Sequence, residues 1–185
     1  MMNNIIQAIF IDRDGTIGGT GHFIHPRNFK PYPFSLNAIN RLKEEGIPLF
    51  AFTNQHRISL GEATISEFQE EFLSYGLDDA FICPHSPQDG CHCHKPNPGM
   101  LIEAAQKYNL DLTKCVVIGD VGIDMLAAHS VGATKILVLT GWGKSSCNEY
   151  KHIWEDVEPD YIAENLLSAV EWILANHVQQ MDTRN

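Results

Sequence analysis

Five stretches of the chain are apolar almost from end to end, and each leads into a segment with a different periodicity. QAIFID (7–12), IPLFAFTN (47–54), DAFICP (79–84), KCVVIGD (114–120) and TKILVLTG (134–141) read as strands. A half-exposed strand would alternate polar with apolar residues; these do not, so both of their faces are covered. Helical spacing marks the segments between them. Leu36, Ile39 and Leu42 recur in 35–46, which stops at Gly46, and Ile65, Phe68, Phe72 and Leu73 recur in 62–76, which stops at Gly76. Segment 97–109 carries Pro98 in its first turn, 122–133 is a short helix, and an amphipathic helix over 163–177 closes the chain. Strand and helix in alternation predict an α/β fold, a Rossmann-like parallel sheet flanked by helices. A single domain is expected over 1–178, with 179–185 as a frayed tail.

Composition narrows the partners. The net charge of −10 argues against nucleic acid or an anionic membrane, both of which need a basic face. No apolar run approaches the roughly 20 residues that span a bilayer. The N-terminal MMNNIIQAIFIDRDGT lacks the basic start, long apolar run and cleavage site of a signal peptide, so a cytoplasmic protein is expected. The five cysteines are odd in number and three crowd one loop, which is not a disulfide framework; they read as reduced. Cys115 reads as a small hydrophobe on a buried strand and Cys147 as an exposed loop residue without a role.

In an open α/β sheet, ligands bind at the carboxyl ends of the strands. Those ends carry a consistent set: Asp12 and Asp14 in DRDGT, Thr53 and Asn54 in TNQ, Lys95 beyond the third strand, and Asp120 and Asp124 in GDVGID. Asp12, Asp14 and Asp120 form a carboxylate cluster that needs a cation to remain ionised, and oxygen ligands favour Mg²⁺. Gly15 lets the backbone turn sharply there. A threonine hydroxyl and a lysine ammonium suit phosphate oxygens. A carboxylate is a usable nucleophile for phosphoryl transfer.

The segment CPHSPQDGCHCHKPNPGM (83–100) packs three cysteines and three histidines into twelve residues, with Lys95 at its edge. Metal site, redox site and free reduced thiols are all open from composition. Cys-x-His and Cys-x-Cys are short chelating arms, and three thiolates with one imidazole suit a closed, structural Zn²⁺ site.

DRDGT, TN, K and GDxxxD in this order resemble the four motifs of the haloacid-dehalogenase-like (HAD) phosphohydrolases, over residues 7 to 143. DRDGT with TNQ and CxCxKPxPGM resembles subfamily IIIA, which includes heptose-bisphosphate phosphatase and the histidinol-phosphatase domain. The resemblance implies a HAD-like fold without a large cap domain. It implies Asp12 as nucleophile, Asp14 as general acid and base, and Thr53 and Lys95 as holders of the phosphoryl group. Mg²⁺ would bind Asp12, the backbone carbonyl of Asp14, and Asp120. Asp124 would orient Lys95 or stand behind the metal ligands, and Asn54 would contact the substrate side of the phosphate site. Cys83, His85, Cys91 and Cys93 match the zinc loop of these relatives, so that zinc would stiffen the loop and fix Lys95.

Three positions depart from the family pattern. His94 stands where relatives usually carry a substrate-contacting arginine, His56-Arg57 follows TNQ in place of Ser-Gly, and Val121 follows the aspartate of GDxxxD. Arg57 and His94 are therefore candidate substrate-binding residues, with His22, His25 and Arg27 behind them. His56 and His129 read as surface or core residues. The expected protein is a monomeric Mg²⁺-dependent phosphatase for a small phosphorylated metabolite, with weak activity on a bisphosphorylated heptose. The site should be open, bounded by loop 17–33 and the zinc loop. A phosphotransferase is a variant of that reading, and a non-catalytic, zinc-stabilised binding protein is its alternative.

Overall fold

The computed structural model describes residues 5–178, with the side chains of 177 and 178 left aside; the expected tail at 179–185 lies outside the described residues. Six strands form one sheet: β1 (Ala8–Ile11), β2 (Leu49–Asn54), β3 (Asp79–Cys83), β4 (Cys115–Gly119), β5 (Thr134–Val138) and β6 (Tyr161–Ala163). Their order is β3-β2-β1-β4-β5-β6 and every pairing is parallel. The first five are those expected from the sequence, trimmed at their ends. β6 is three residues long, too short for a period-two signal to register.

Alternation along the buried strands sends side chains to two separate cores. Ile9 and Ile11 face one core with α1 (Ser35–Glu44), α2 (Ile65–Tyr75) and α6 (Leu166–Ile173). Ala8 and Phe10 face the other with α3 (Gly99–Tyr108) and α4 (Gly122–Ser130). The helix faces differ from expectation in detail. Ile39 and Leu42 are buried with Ala38, but Leu36 is largely exposed; Phe68 and Phe72 are buried, but Ile65 and Leu73 face solvent. Two neighbouring aromatic rings already satisfy α2's core contact, so the flanking aliphatics are spare. α2 begins at a capping box in which Thr64 and Glu67 serve each other's backbone N–H, and it ends at Gly76 in the left-handed conformation. Pro98 stands at the N-cap of α3, one place before the first turn expected for it.

Between β5 and β6 the chain makes a short helix, α5 (Gly143–Cys147), and a turn that buries Trp154. Met125, Leu137, Trp154 and Val157 form a small third core there. Cys147 packs against it and is not a free loop residue. Cys115 is buried as expected.

Candidate active site

β1 and β4 are neighbours in the sheet, so their ends deliver Asp12 and Asp120 to one place. Asp12, Asp120 and Asp124 are 5%, 1% and 0% exposed, and one carboxylate oxygen from each lies within 4.8 Å of the others. Such proximity without compensation would be repulsive; Lys95 supplies the compensation. Its Nζ donates to Asp12 Oδ1 at 2.9 Å, to Asp124 Oδ1 at 2.7 Å and to the Phe52 carbonyl at 3.1 Å. Burial opposes the ammonium charge, but Asp12 and Asp124 outweigh it and raise the Lys95 pKa. Asp124 is lifted to about 6 by burial, with Lys95 pulling the other way.

Asp120 is held differently. Its Oδ2 accepts the Trp142 N–H at 2.8 Å, while its Oδ1 is buried and has no hydrogen-bond partner. Burial, then Asp12 and Asp124, push its pKa well up. A Cβ at either Gly15 or Gly141 would collide with Asp120 Oδ2, and both glycines have positive φ. An unpartnered buried carboxylate oxygen facing two further carboxylates is the donor set of a hard divalent cation. Asp124 uses Oδ1 on Lys95 and Oδ2 on the Val121 N–H, so it supports Lys95 and has little left for a metal.

Asp14 sits apart from this cluster, on a network that sequence reading missed. Arg13 is fully buried, and its guanidinium donates to Asp14 Oδ1 at 2.7 Å and to both oxygens of Glu71 at 2.9 and 2.8 Å. It is stacked 3.8 Å from the Phe29 ring centroid. Gln55 Nε2 donates to Asp14 Oδ2 at 2.6 Å and to Thr53 Oγ1 at 2.9 Å. Burial raises the Asp14 pKa to about 6, against the pull of Arg13. Gln55 was in plain view in TNQ; Glu71 was not, because it lies 58 residues from Arg13 on an amphipathic helix.

Asn54 lines the cavity, but its side chain is spent on the Lys95 backbone: Oδ1 accepts the Lys95 N–H at 3.0 Å and Nδ2 donates to the Lys95 carbonyl at 3.3 Å. Arg57 is not in the cavity. Its Nη1 donates to both Glu62 oxygens at 2.9 and 3.1 Å, behind Phe23. His94 turns toward the thiol cluster, with Nδ1 3.6 Å from Cys83 Sγ. Burial lowers its pKa. His25 and Arg27 both meet Glu67 at the start of α2. His129 is on the surface, whereas His56 lines the cavity.

The cavity above the carboxylates measures about 490 Å³. Asp12, Asp14, Thr53, Lys95 and Asp120 form its floor, and loop 17–33 contributes Gly21 and Phe23. The far wall comes from 142–154, which carries Trp142, Tyr150, Ile153 and Trp154. Sequence reading gave that wall to the zinc loop, whose segment contributes only Lys95 to the lining. Beyond β3, ligand atoms of Cys83, His85, Cys91 and Cys93 lie within 4.8 Å of one another. The His94 N–H reaches Cys91 Sγ at 3.3 Å and helps lower that thiol to about 7, although burial opposes it. Three thiols and one imidazole at this spacing fit Zn²⁺.

A parallel sheet in the order 3-2-1-4-5-6, with an aspartate at the end of its first strand facing a lysine and further aspartates, defines a hydrolase of the HAD-like class. The HAD-hydrolase-like family model matches residues 92–169. The chain is 35% identical to D-glycero-beta-D-manno-heptose-1,7-bisphosphate 7-phosphatase of Escherichia coli K12, over 76% of this chain and 83% of that protein. The Helicobacter pylori J99 protein of that name is 28% identical over 90% of this chain and 97% of its own. Among solved structures, D,D-heptose 1,7-bisphosphate phosphatase from B. bronchiseptica, complexed with magnesium and phosphate, superposes with a TM-score of 0.80 at 30% identity, covering 91% of this chain and 98% of that one. The chain belongs to the HAD-like phosphatases, the family of these heptose-bisphosphate enzymes, and is a phosphoric monoester hydrolase. No helix among the described residues is long and apolar enough to cross a membrane.

Proposed function

We propose that this protein is a Mg²⁺-dependent phosphatase for a small phosphorylated metabolite of the sugar-phosphate kind, acting as a cytoplasmic monomer through an aspartyl-phosphate on Asp12. The observation that carries this reading is the unpartnered Asp120 Oδ1 beside Asp12, with Lys95 anchored between Asp12 and Asp124. Asp12, the Asp14 carbonyl and Asp120 would hold Mg²⁺, which supplies neutralisation of the phosphoryl charge. An Asp12 carboxylate oxygen forms a bond to phosphorus as the bond to the ester oxygen breaks. Asp14 gives its proton to that leaving oxygen; a pKa near 6 suits the exchange in both directions. Asp14 then takes a proton from water as the water oxygen attacks phosphorus and Asp12 is released. Gln55 orients Asp14 and accounts for an acceptor lone pair of Thr53, whose hydroxyl hydrogen is then directed to a phosphoryl oxygen. Lys95 neutralises the same group.

The Cys83, His85, Cys91 and Cys93 cluster would hold a structural Zn²⁺ that fixes the loop leading to Lys95. Released phosphate from a panel of phosphorylated metabolites with Mg²⁺ tests the activity. Asp14→Asn should lower turnover of an unactivated ester by about 10²–10⁴-fold and that of an activated aryl phosphate far less. Equal losses on both would remove Asp14 from the acid role.

A further inference from the structure

Resting on that phosphatase reading, we propose that the site takes an ester whose leaving group is an uncharged ring, laid against the aromatic wall of residues 142–154, and that it does not accommodate a second phosphate.

The wall is a built feature. Trp142 is anchored by its backbone N–H on Asp120, and its ring lies edge-to-face with the Tyr150 ring, 6.4 Å between centroids. Trp154 is 2% exposed, with its indole N–H on the Ser146 carbonyl at 3.1 Å. Glycines stand where each indole packs: a Cβ at Gly21 would collide with Trp142, and one at Gly122 with Trp154. Tyr150 and Ile153 complete the mouth, 42% and 56% exposed, and set apolar surface beside Trp142 at the entrance.

The cations nearest the cavity floor are engaged elsewhere, and Lys144, exposed on α5, lies outside the lining. The basic side chains in the lining are Lys95 and His56, and Lys95 is already shared by Asp12 and Asp124. Arg57 is held by Glu62. Lys151, in the wall segment itself, donates to the Trp154 and Val157 carbonyls and pairs with Glu158 at 3.0 Å. His22 stands edge-on to Trp142, 5.2 Å between ring centroids, outside the lining. The lining polar groups nearest the floor are also committed: Gln55 to Asp14 and Thr53, Asn54 to Lys95, Ser146 to the Asp120 carbonyl. A second dianion would enter a cavity lined by three carboxylates, Asp12, Asp14 and Asp120, whose one lysine is already committed to Asp12 and Asp124. The C–H face of a sugar ring, or an aryl ring, loses nothing there and covers the exposed rings.

The test measures kcat/KM of the full chain with Mg²⁺ on glucose 1-phosphate, glucose 6-phosphate, glucose 1,6-bisphosphate and glycerol 1-phosphate, read as inorganic phosphate. The better hexose monophosphate should exceed the bisphosphate by about tenfold or more. Tyr150→Ala with Ile153→Ala should lower the ratio of hexose ester to glycerol ester by about tenfold, mainly through KM. Ile153→Arg, at an exposed position, should raise the ratio of bisphosphate to monophosphate about tenfold by supplying the missing cation. Wild-type turnover of the bisphosphate equal to or above that of the monophosphates overturns the inference and leaves the phosphatase reading standing, as does an unchanged hexose-to-glycerol ratio in the double variant. Release from none of the four esters overturns the phosphatase reading and this inference with it.

Discussion

The carboxylates at the ends of β1 and β4 are held by the sheet, whereas the thiols beyond β3 are held by a loop that supplies its own ligands. Asp12, Asp120 and Asp124 are almost wholly buried, and Lys95, Trp142 and two glycines fix their places. Of the second group only Cys83 is buried; it ends β3, while Cys91 and Cys93 are half-buried and His85 is exposed. The first cluster has an internal cation, Lys95, so a metal there would add charge balance for the reaction. The second has no internal cation, and although its thiols pack against the α3–α4 core, they come from a loop with no helix or strand of its own beyond β3, so a metal there would contribute folding energy. Two sets of ligand-type residues at one end of a sheet thus answer to different terms, one electrostatic and one conformational.

That contrast breaks most visibly at the nucleophile. Asp12→Asn should reduce turnover by more than about 10⁴-fold while the melting temperature stays near wild type, because Asp124 still pairs with Lys95. Steady-state phosphate release and a thermal melt check it together, and turnover within tenfold of wild type would remove Asp12 from the role. Glu71→Ala comes next. It leaves the buried Arg13 with Asp14 as its one carboxylate partner, beside the Ile24 carbonyl, and removing one partner of a buried pair costs about 3–5 kcal/mol, read as a shift in the denaturant midpoint. A midpoint unchanged from wild type would mean that Asp14 and the Ile24 carbonyl suffice for Arg13. Cys91→Ser should lower zinc content and the melting temperature first, by about 2–4 °C for each kcal/mol lost, with activity following through Lys95. Full stability with lost activity would instead make that metal catalytic. Arg57→Ala should be the mildest: an exposed pair with Glu62 contributes about 0–1 kcal/mol, and kcat/KM should stay within about threefold. A larger loss would show that Arg57 leaves Glu62 to meet substrate.

Five strands were legible because each is an almost unbroken apolar run, the pattern of a parallel strand covered on both faces. Asp12, Asp14, Thr53, Lys95 and Asp120 come together in one cavity lining because each lies at or beyond the carboxyl end of one of those strands. The wall of 142–154 was not legible, since an irregular segment with two tryptophans carries no period, and its meaning comes from Gly21 and Gly122 making room for it. Arg13 stands between two aspartates in the chain, and only folding brings Glu71 to it. Arg57 and His94 illustrate the converse. Both are basic residue types adjacent to motifs, yet nearby Glu62 and Cys83 claim them, a competition that spacing along the chain does not express.

The strand order has a consequence for synthesis. β1 is first in the chain but central in the sheet, and its second neighbour, β4, ends at Gly119. Asp120 is not secured until Trp142 has also been made. At about 5–20 residues per second, a ribosome takes roughly 6–25 s to travel from Ile11 to Trp142. Until β4 is made, at Gly119, one edge of β1 stays unpaired, and the nascent chain exposes there a strand that the finished enzyme pairs on both edges.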